Sequence, residues 1–224
     1  MAEIKTHDAW LRARQKGIGA SEAAAVIGRS PWLDNVELWR RKTGRTQAPD
    51  ISNNEAVAYG HVAEAPIRDL FALDYPGYEV TYGGSFDLVR HPEHPFILAT
   101  LDGRLVERDT GRRGVLEIKT TNIVRSMQKE KWWGPDGPCI PDQYYCQVLW
   151  ALIATGWDFA SLHAQLKYRY GDDIRSERRT YFIEREEVAE DLEYLEREGV
   201  KFWTEYVVKD KEPPLILPSL EGFT

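Results

Sequence analysis

The chain has 224 residues, 42% of them hydrophobic and 29% charged, and a formal net charge of −7. This is the composition of a folded domain and excludes a disordered chain, while the lack of an apolar run of about 18 residues excludes a membrane-spanning helix. The negative charge is local: residues 184–224 carry twelve acidic and five basic side chains, whereas the first fifty are mildly basic through Arg12, Arg14, Lys16, Arg29, Arg40, Arg41, Lys42 and Arg45. Phosphate attraction follows local patches, so the acidity neither excludes nor supports a nucleic-acid partner. In chain order, Ser21 ahead of Glu22, three alanines, Val26 and Ile27, closed by Gly28, reads as a short capped helix. Ser30-Pro31-Trp32 is a turn, and residues 35–43 form a second helix that Gly44 stops. Residues 54–73 form a longer helix, with Tyr59, Val62, Ala63, Ile67, Leu70 and Phe71 recurring at three and four, and Pro66 is expected to kink it.

β-rich runs follow at 78–82, 85–90, 96–106 and 114–120, separated by glycine or proline. A helix over 123–132, a Gly/Pro loop over 134–141 and a helix over 142–154 come next. Two closing strands, 159–168 and 179–184, precede a last helix with Val188, Leu192, Leu195, Phe202, Trp203 and Tyr206 on one face. This order predicts one α/β domain over 1–224 with a helix-covered sheet: N-terminal helices 8–73, a sheet and helix 78–184, and an acidic helix 185–208. Cys139 and Cys146 are too few for a disulfide framework and fit no zinc pattern. The polar, mixed-charge first ten residues do not read as a secretory leader, and a cytoplasmic location is expected.

The local chemistry concentrates in Leu101-Asp102-Gly103 and Leu116-Glu117-Ile118-Lys119. Side chains alternate along a strand, so Glu117 and Lys119 share a face. Burying a carboxylate and an ammonium there is costly unless they are paired or hold a metal. With Asp102 on the neighbouring strand, the set suits phosphodiester hydrolysis: hard oxygens for Mg²⁺ and a lysine to orient water or offset developing charge. On these residues alone, a structural salt bridge and a nuclease site both remain open.

Further segments point one way. Asp8-Ala9-Trp10 precedes Arg14; then come Gly17-Ile18-Gly19-Ala20-Ser21-Glu22, Tyr59-Gly60-His61-Val62-Ala63-Glu64 with Arg68 and Phe71, Ala99-Thr100-Leu101-Asp102-Gly103, Leu116-Glu117-Ile118-Lys119 and Tyr144-Tyr145-Cys146-Gln147. Over roughly residues 8–185 this ordered set resembles the lambda exonuclease family, also called YqaJ-like viral recombinases. The resemblance implies a PD-(D/E)xK restriction-endonuclease-like core, with a central mixed β-sheet flanked by helices. It implies Asp102, Glu117 and Lys119 as catalytic residues, with Glu64, Asp102, Glu117 and the backbone carbonyl of Ile118 as metal ligands. Arg14, Ser21, Thr100 and Gln147 are implied as a pocket for a terminal 5′-phosphate, and Tyr144 as a neighbour of the active site. A guanidinium beside a hydroxyl at a helix start is a natural anion site. Ser21 as a simple N-cap and Arg14 as a solvated surface residue are the bland readings.

The implied activity is Mg²⁺-dependent 5′-to-3′ digestion of duplex DNA ends, leaving 3′ single strands for phage-type recombination. Mn²⁺ is the expected substitute, with two ions per site. A toroidal homotrimer, a single-strand annealing partner and a phage or prophage origin inside a bacterial cell are implied as well. A restriction- or repair-type endonuclease and a non-catalytic DNA-binding module are the alternatives. Departures from the family pattern are Leu101 where it has proline, Thr100 where it has serine, a longer 104–114 loop, and Pro66 close behind Glu64. The His91-Pro-Glu-His94 run reads as a solvated turn, and His61 as a residue able to approach the site. Core or loop anchoring is expected of Trp132 and Trp133 over stacking on unpaired bases, and core packing of Trp10 and Trp32 over a place flanking the phosphate pocket.

Overall fold

The computed structural model describes residues 6–51, 53–123, 132–134, 137–170 and 173–217. In chain order these form α1 (His7–Arg14), β1 (Ile18–Gly19), a 3-10 turn (Ala20–Glu22) running into α2 (Ala23–Val26), α3 (Asn35–Lys42) and α4 (Glu55–Asp74). Strands β2 (Tyr78–Thr81), β3 (Leu88–Arg90), β4 (Ile97–Thr100), β5 (Gly103–Glu107) and β6 (Arg113–Ile123) follow, then a small hairpin, β7 (Trp133–Gly134) and β8 (Gly137–Pro138). The chain continues through α5 (Asp142–Thr155), β9 (Phe159–Tyr170), β10 (Asp173–Glu184) and α6 (Ala189–Lys201), which a π-helical turn (Phe202–Val207) extends.

The result is a mixed α/β fold around a five-stranded sheet in the order β10-β9-β6-β5-β2. Strand β6 runs parallel to β9 and antiparallel to β5. Alternation along β6 sends Leu116 and Ile118 to one face, where they pack with Ala63, Ile67 and Phe71 of α4. Val115 goes to the other face and joins Leu162, Ala164, Leu166 and α5. Helix α5 is buried from Val148 to Ala154, which accounts for its unbroken apolar sequence there. A second sheet, β1-β4-β3, lies beside the first, with β1 parallel to β4. It fixes the segment leading into Ser21, because the buried Trp150 indole donates to the Ile18 carbonyl at 3.0 Å. The last described residues are tied back by Asn35, whose amide donates to Pro214 O (2.8 Å) and accepts from Ile216 N–H (3.0 Å).

Several expectations are corrected. The run 96–106 is two strands in two different sheets, broken at Leu101–Asp102, so Asp102 is not on a strand. Residues 7–14 form a helix the apolar pattern did not announce, capped by the Thr6 hydroxyl and contributing no buried residue. Strand β10 begins at Asp173 rather than near Arg179, because backbone pairing with β9 carries it through an exposed polar stretch. Ile123 closes β6 instead of opening a helix, and the rest of the helix expected over 123–132, residues 124–131, lies outside the described residues. Helix α4 continues through Pro66 to Asp74, so the proline does not end the helix. His91 and His94 are not a solvated turn: both face Glu196 of α6, at 3.7 and 3.9 Å. Trp10 is half-buried on a cavity wall and Trp32 is 69% exposed, so neither packs in the core. Trp132 is core, at 1% exposure.

Gly199 is where α6 meets α5: a Cβ there would stand 2.2 Å from the Trp150 ring. Helix propensity favours Gly199→Ala by about 1 kcal/mol, whereas overpacking a filled site costs about 1–3 kcal/mol. The contact is with a ring held at its indole N–H, so packing is expected to win and urea denaturation to show net destabilisation. A stabilised variant would mean that Trp150 yields freely.

Candidate active site

The site forms where the two sheets part. Strand β4 ends at Thr100 in the small sheet, and the chain crosses to the large sheet through Leu101 and Asp102 before pairing again at Gly103 with Leu116. Beyond Leu116 the β5 side of β6 is therefore open. Asp102 fills that gap: its Oδ2 accepts the Ile118 N–H at 2.8 Å, and its backbone carbonyl accepts Arg68 Nε at 2.6 Å. The N–H and C=O of one strand residue point to the same edge, so the Ile118 carbonyl also faces this opening. Arg68 lies one turn beyond Glu64 on α4 and stacks 3.8 Å over the Tyr82 ring. It fixes the Asp102 bend to the helix that carries Glu64.

Glu117 and Lys119 project from the opposite face of β6 to Ile118, toward α5. Glu117 Oε1 accepts from Lys119 Nζ at 2.5 Å and from Gln147 Nε2 at 2.6 Å. Burial, with repulsion from Asp102 and Glu64 added and Lys119 opposing, pushes Glu117 up to about 8. Asp102 is raised by burial, partly offset by Lys119, the Ile118 N–H and Arg68. Glu64 is raised by burial and by the charge of Asp102. Burial disfavours the Lys119 ammonium, but Glu117 and Asp102 outweigh it and raise its pKa. Three carboxylates thus crowd one place with one ammonium among them. Such a set of hard oxygens, short of positive charge and joined by the Ile118 carbonyl, fits a divalent cation such as Mg²⁺. Among the described residues no group of three acidic, histidine or cysteine side chains is already gathered as a ligand cage, and one Glu117 oxygen is occupied by Lys119 and Gln147.

The residues expected to form an anion pocket adjoin this cluster. Arg14 Nη2 donates to Ser21 Oγ at 3.1 Å, so Ser21 is a partner of Arg14, and Glu22 rather than Ser21 caps the turn through Gly19 N–H (2.7 Å). Trp10 Nε1 donates to Thr100 Oγ1 at 3.2 Å, and the Arg14 guanidinium stands 4.6 Å over the Trp10 ring. Arg14, Ser21, Thr100, Gln147, Glu64, Asp102, Glu117, Ile118 and Lys119 all line one cavity of about 440 Å³. Gln147 turns to the carboxylates rather than to Arg14. Tyr144 does not line the cavity; it lies behind Lys119, with Nζ 5.3 Å from its ring centroid. His61 does line it, 3.6 Å from Glu64.

The sequence reading missed three supports. Arg68 was recognised only as a matching position, and its grip on Asp102 needs the fold to be seen. Lys42, from α3, is a buried cation that pairs with Glu22 at 2.7 Å and donates to the Arg14 carbonyl at 3.2 Å, bracing the anion pocket from behind. His7, Trp10 and Phe86 form an aromatic cavity wall, and the His7, Trp10, Arg14 spacing on α1 was the available signal for it.

Comparison with known proteins agrees with this geometry. The YqaJ-like viral recombinase domain family matches residues 9–158. The uncharacterized protein YqaJ of Bacillus subtilis (strain 168) is 29% identical over 210 residues, which is 94% of this chain but 59% of that protein, so the chain spans about six-tenths of the relative's length. Among solved structures, the alkaline exonuclease LHK-Exo from Laribacter hongkongensis superposes with a TM-score of 0.62 at 24% identity, covering 90% of this chain and 93% of the other. The same exonuclease in complex with dAMP gives 0.62 at 23% identity and the same coverage. The fold is thus that of an alkaline exonuclease, and with a matched stretch that takes in every residue of the cavity from Trp10 to Gln147, the chain belongs to the YqaJ-like viral recombinase domain family.

Proposed function

We propose that the chain is a metal-dependent deoxyribonuclease of PD-(D/E)xK type that digests duplex DNA from 5′ ends and leaves 3′ single strands. The observation that carries this reading is the meeting, in one cavity, of an acidic cluster with its lysine and a separate Arg14–Ser21 anion pocket. Hydrolysis alone needs only the first. An enzyme that starts at an end has use for the second, which can hold a terminal phosphate while the next phosphodiester lies over the carboxylates.

In this mechanism Glu64, Asp102, Glu117 and the Ile118 carbonyl would hold Mg²⁺, or Mn²⁺ in its place, with two ions per site as the family resemblance implies. A bound divalent ion supplies charge neutralisation at the scissile phosphate and a water acidic enough to attack near neutral pH. Lys119 would orient an attacking water and offset the charge developing on phosphate oxygens. Gln147 keeps Glu117 from rotating away, and Tyr144 limits the path of the Lys119 chain. Among the described residues the cavity lining ends at Gln147 in chain order, so none of the described acidic side chains from Glu184 onward lines it. This supports an arrangement in which that segment faces away from the DNA. A homotrimer, a single-strand annealing partner and work in phage recombination within a bacterial cytoplasm belong to the same reading. Among the described residues, no helix is long and apolar enough to cross a membrane.

Duplexes labelled at each terminus, with and without 5′-phosphate, test the polarity together with a covalently closed circle. Linear DNA is expected to be consumed from its 5′ ends in Mg²⁺ and the circle to resist; rapid nicking of the circle would make the protein an endonuclease. Arg14→Ala is expected to slow digestion of 5′-phosphorylated ends selectively, and equal slowing of hydroxyl ends would remove the pocket's role. Lys119→Ala is expected to lower nucleotide release about 100-fold or more while duplex affinity is kept, the scale for losing one group that stabilises developing charge. Turnover retained in that variant would take the lysine out of the mechanism.

A further inference from the structure

Three rings on one wall of the cavity, His7, Trp10 and Phe86, are assigned neither to the phosphate pocket nor to the carboxylate cluster. Helix α1 presents His7, Trp10 and Arg14 along the side that lines the cavity, and the loop between β2 and β3 adds Phe86. The His7 and Trp10 rings stack with centroids 5.7 Å apart at 27°, and Phe86 stands 6.4 Å from His7 and 6.5 Å from Trp10, tilted by about 50°. Core packing does not account for these rings. Helix α1 contributes no buried residue, and neither Trp10 nor Phe86 belongs to either hydrophobic cluster. Trp10 is held in place instead by polar neighbours, through its N–H to Thr100 and the Arg14 cation over its ring. His7 remains exposed to the opening.

We propose that His7, Trp10 and Phe86 form a stacking platform for the base of the terminal nucleotide. The inference rests on the reading of this site as a nuclease for DNA ends and adds a nucleobase subsite to it. Trp10 touches both functional halves: Arg14 of the anion pocket on one side, and on the other Thr100, two residues before Asp102. A nucleotide with its 5′-phosphate at Arg14 and Ser21 and its 3′-phosphodiester at the carboxylates has its base left over, and the His7, Trp10 and Phe86 wall, which adjoins Arg14, offers it an aromatic surface in the same cavity. Stacking suits an enzyme that must accept every base in turn, since all four present a π-face and none needs its own hydrogen-bond pattern.

The test measures how much the terminal base contributes to binding, with and without the platform. Binding of 5′-phosphorylated duplexes, ending either in a normal nucleotide or in an abasic tetrahydrofuran residue, is followed by fluorescence anisotropy. Ca²⁺ replaces Mg²⁺, since it takes oxygen ligands in looser geometry. Removing the base is expected to weaken binding to the unmodified protein about tenfold, and to His7→Ala/Phe86→Leu by less than about twofold. His7→Ala alone changes an exposed ring, so its folding is not in question, and it should fall between the two. An abasic penalty equal in all three proteins, with 5′-phosphate preference retained, overturns the platform and leaves the nuclease reading standing. Absence of any preference for 5′-phosphorylated ends overturns both.

Discussion

The arrangement depends on one electrostatic constraint: three carboxylates and one ammonium share a poorly solvated cleft where two sheets separate. Burial raises all three carboxyl pKa values, and repulsion between carboxylates adds to this at Glu64 and Glu117, so the cluster is unfavourable as a purely structural feature. A structural salt bridge explains Glu117 with Lys119, but it explains neither the approach of Asp102 nor that of Glu64. An added divalent charge explains all of them. The surroundings of the Glu117 and Lys119 pair, rather than its spacing, are what favour the nuclease reading proposed above over a purely structural salt bridge.

The fold supplies the cleft by a change of sheet. Had 96–106 been one continuous strand, its pairing with β6 would have sealed the edge carrying the Ile118 N–H and carbonyl. The break at Leu101–Asp102 leaves that edge open and turns a carboxylate into it. Arg68 and the Lys42–Glu22 pair serve the same end from opposite sides: one holds the Asp102 bend to α4, the other holds the turn bearing Ser21 to α3. Trp150, linking α5 to Ile18, ties that turn to the core. The chemistry is placed by long-range contacts, although most of its residues sit in short local motifs.

That contrast explains what could be read in the sequence. Glu117 and Lys119 were legible because strand alternation is strictly periodic, and α4 and α5 because their apolar positions are numerous. Arg14, Ser21, Glu64, Thr100, Asp102, Glu117, Ile118, Lys119 and Gln147 were legible through the ordered family motifs, and the fold gathers them around one opening. Helix α1 was not, because it buries nothing and so leaves no apolar stripe; what orders it is a Thr6 cap and contacts with the cavity wall. The start of β10 was hidden likewise: residues 173–178 are exposed, and only pairing with β9 makes them a strand. Core packing was favoured for Trp10 and Trp32 because large aromatics default to the core; Trp10 instead borders the cavity, the alternative weighed for it, and Trp32 stays 69% exposed. Lys42 and Arg68 act across gaps of 20 and 34 residues, on Glu22 and on Asp102, where no local pattern carries the pairing.

Direct titration with Mn²⁺, read by electron paramagnetic resonance at neutral pH without DNA, tests the central claim most directly. The account predicts saturable binding to the unmodified protein, a large loss of affinity in Asp102→Asn and in Glu117→Gln, and binding maintained in Lys119→Met, where a competing cation has been removed. Binding that is undetectable, or indifferent to both carboxylate substitutions, would contradict it.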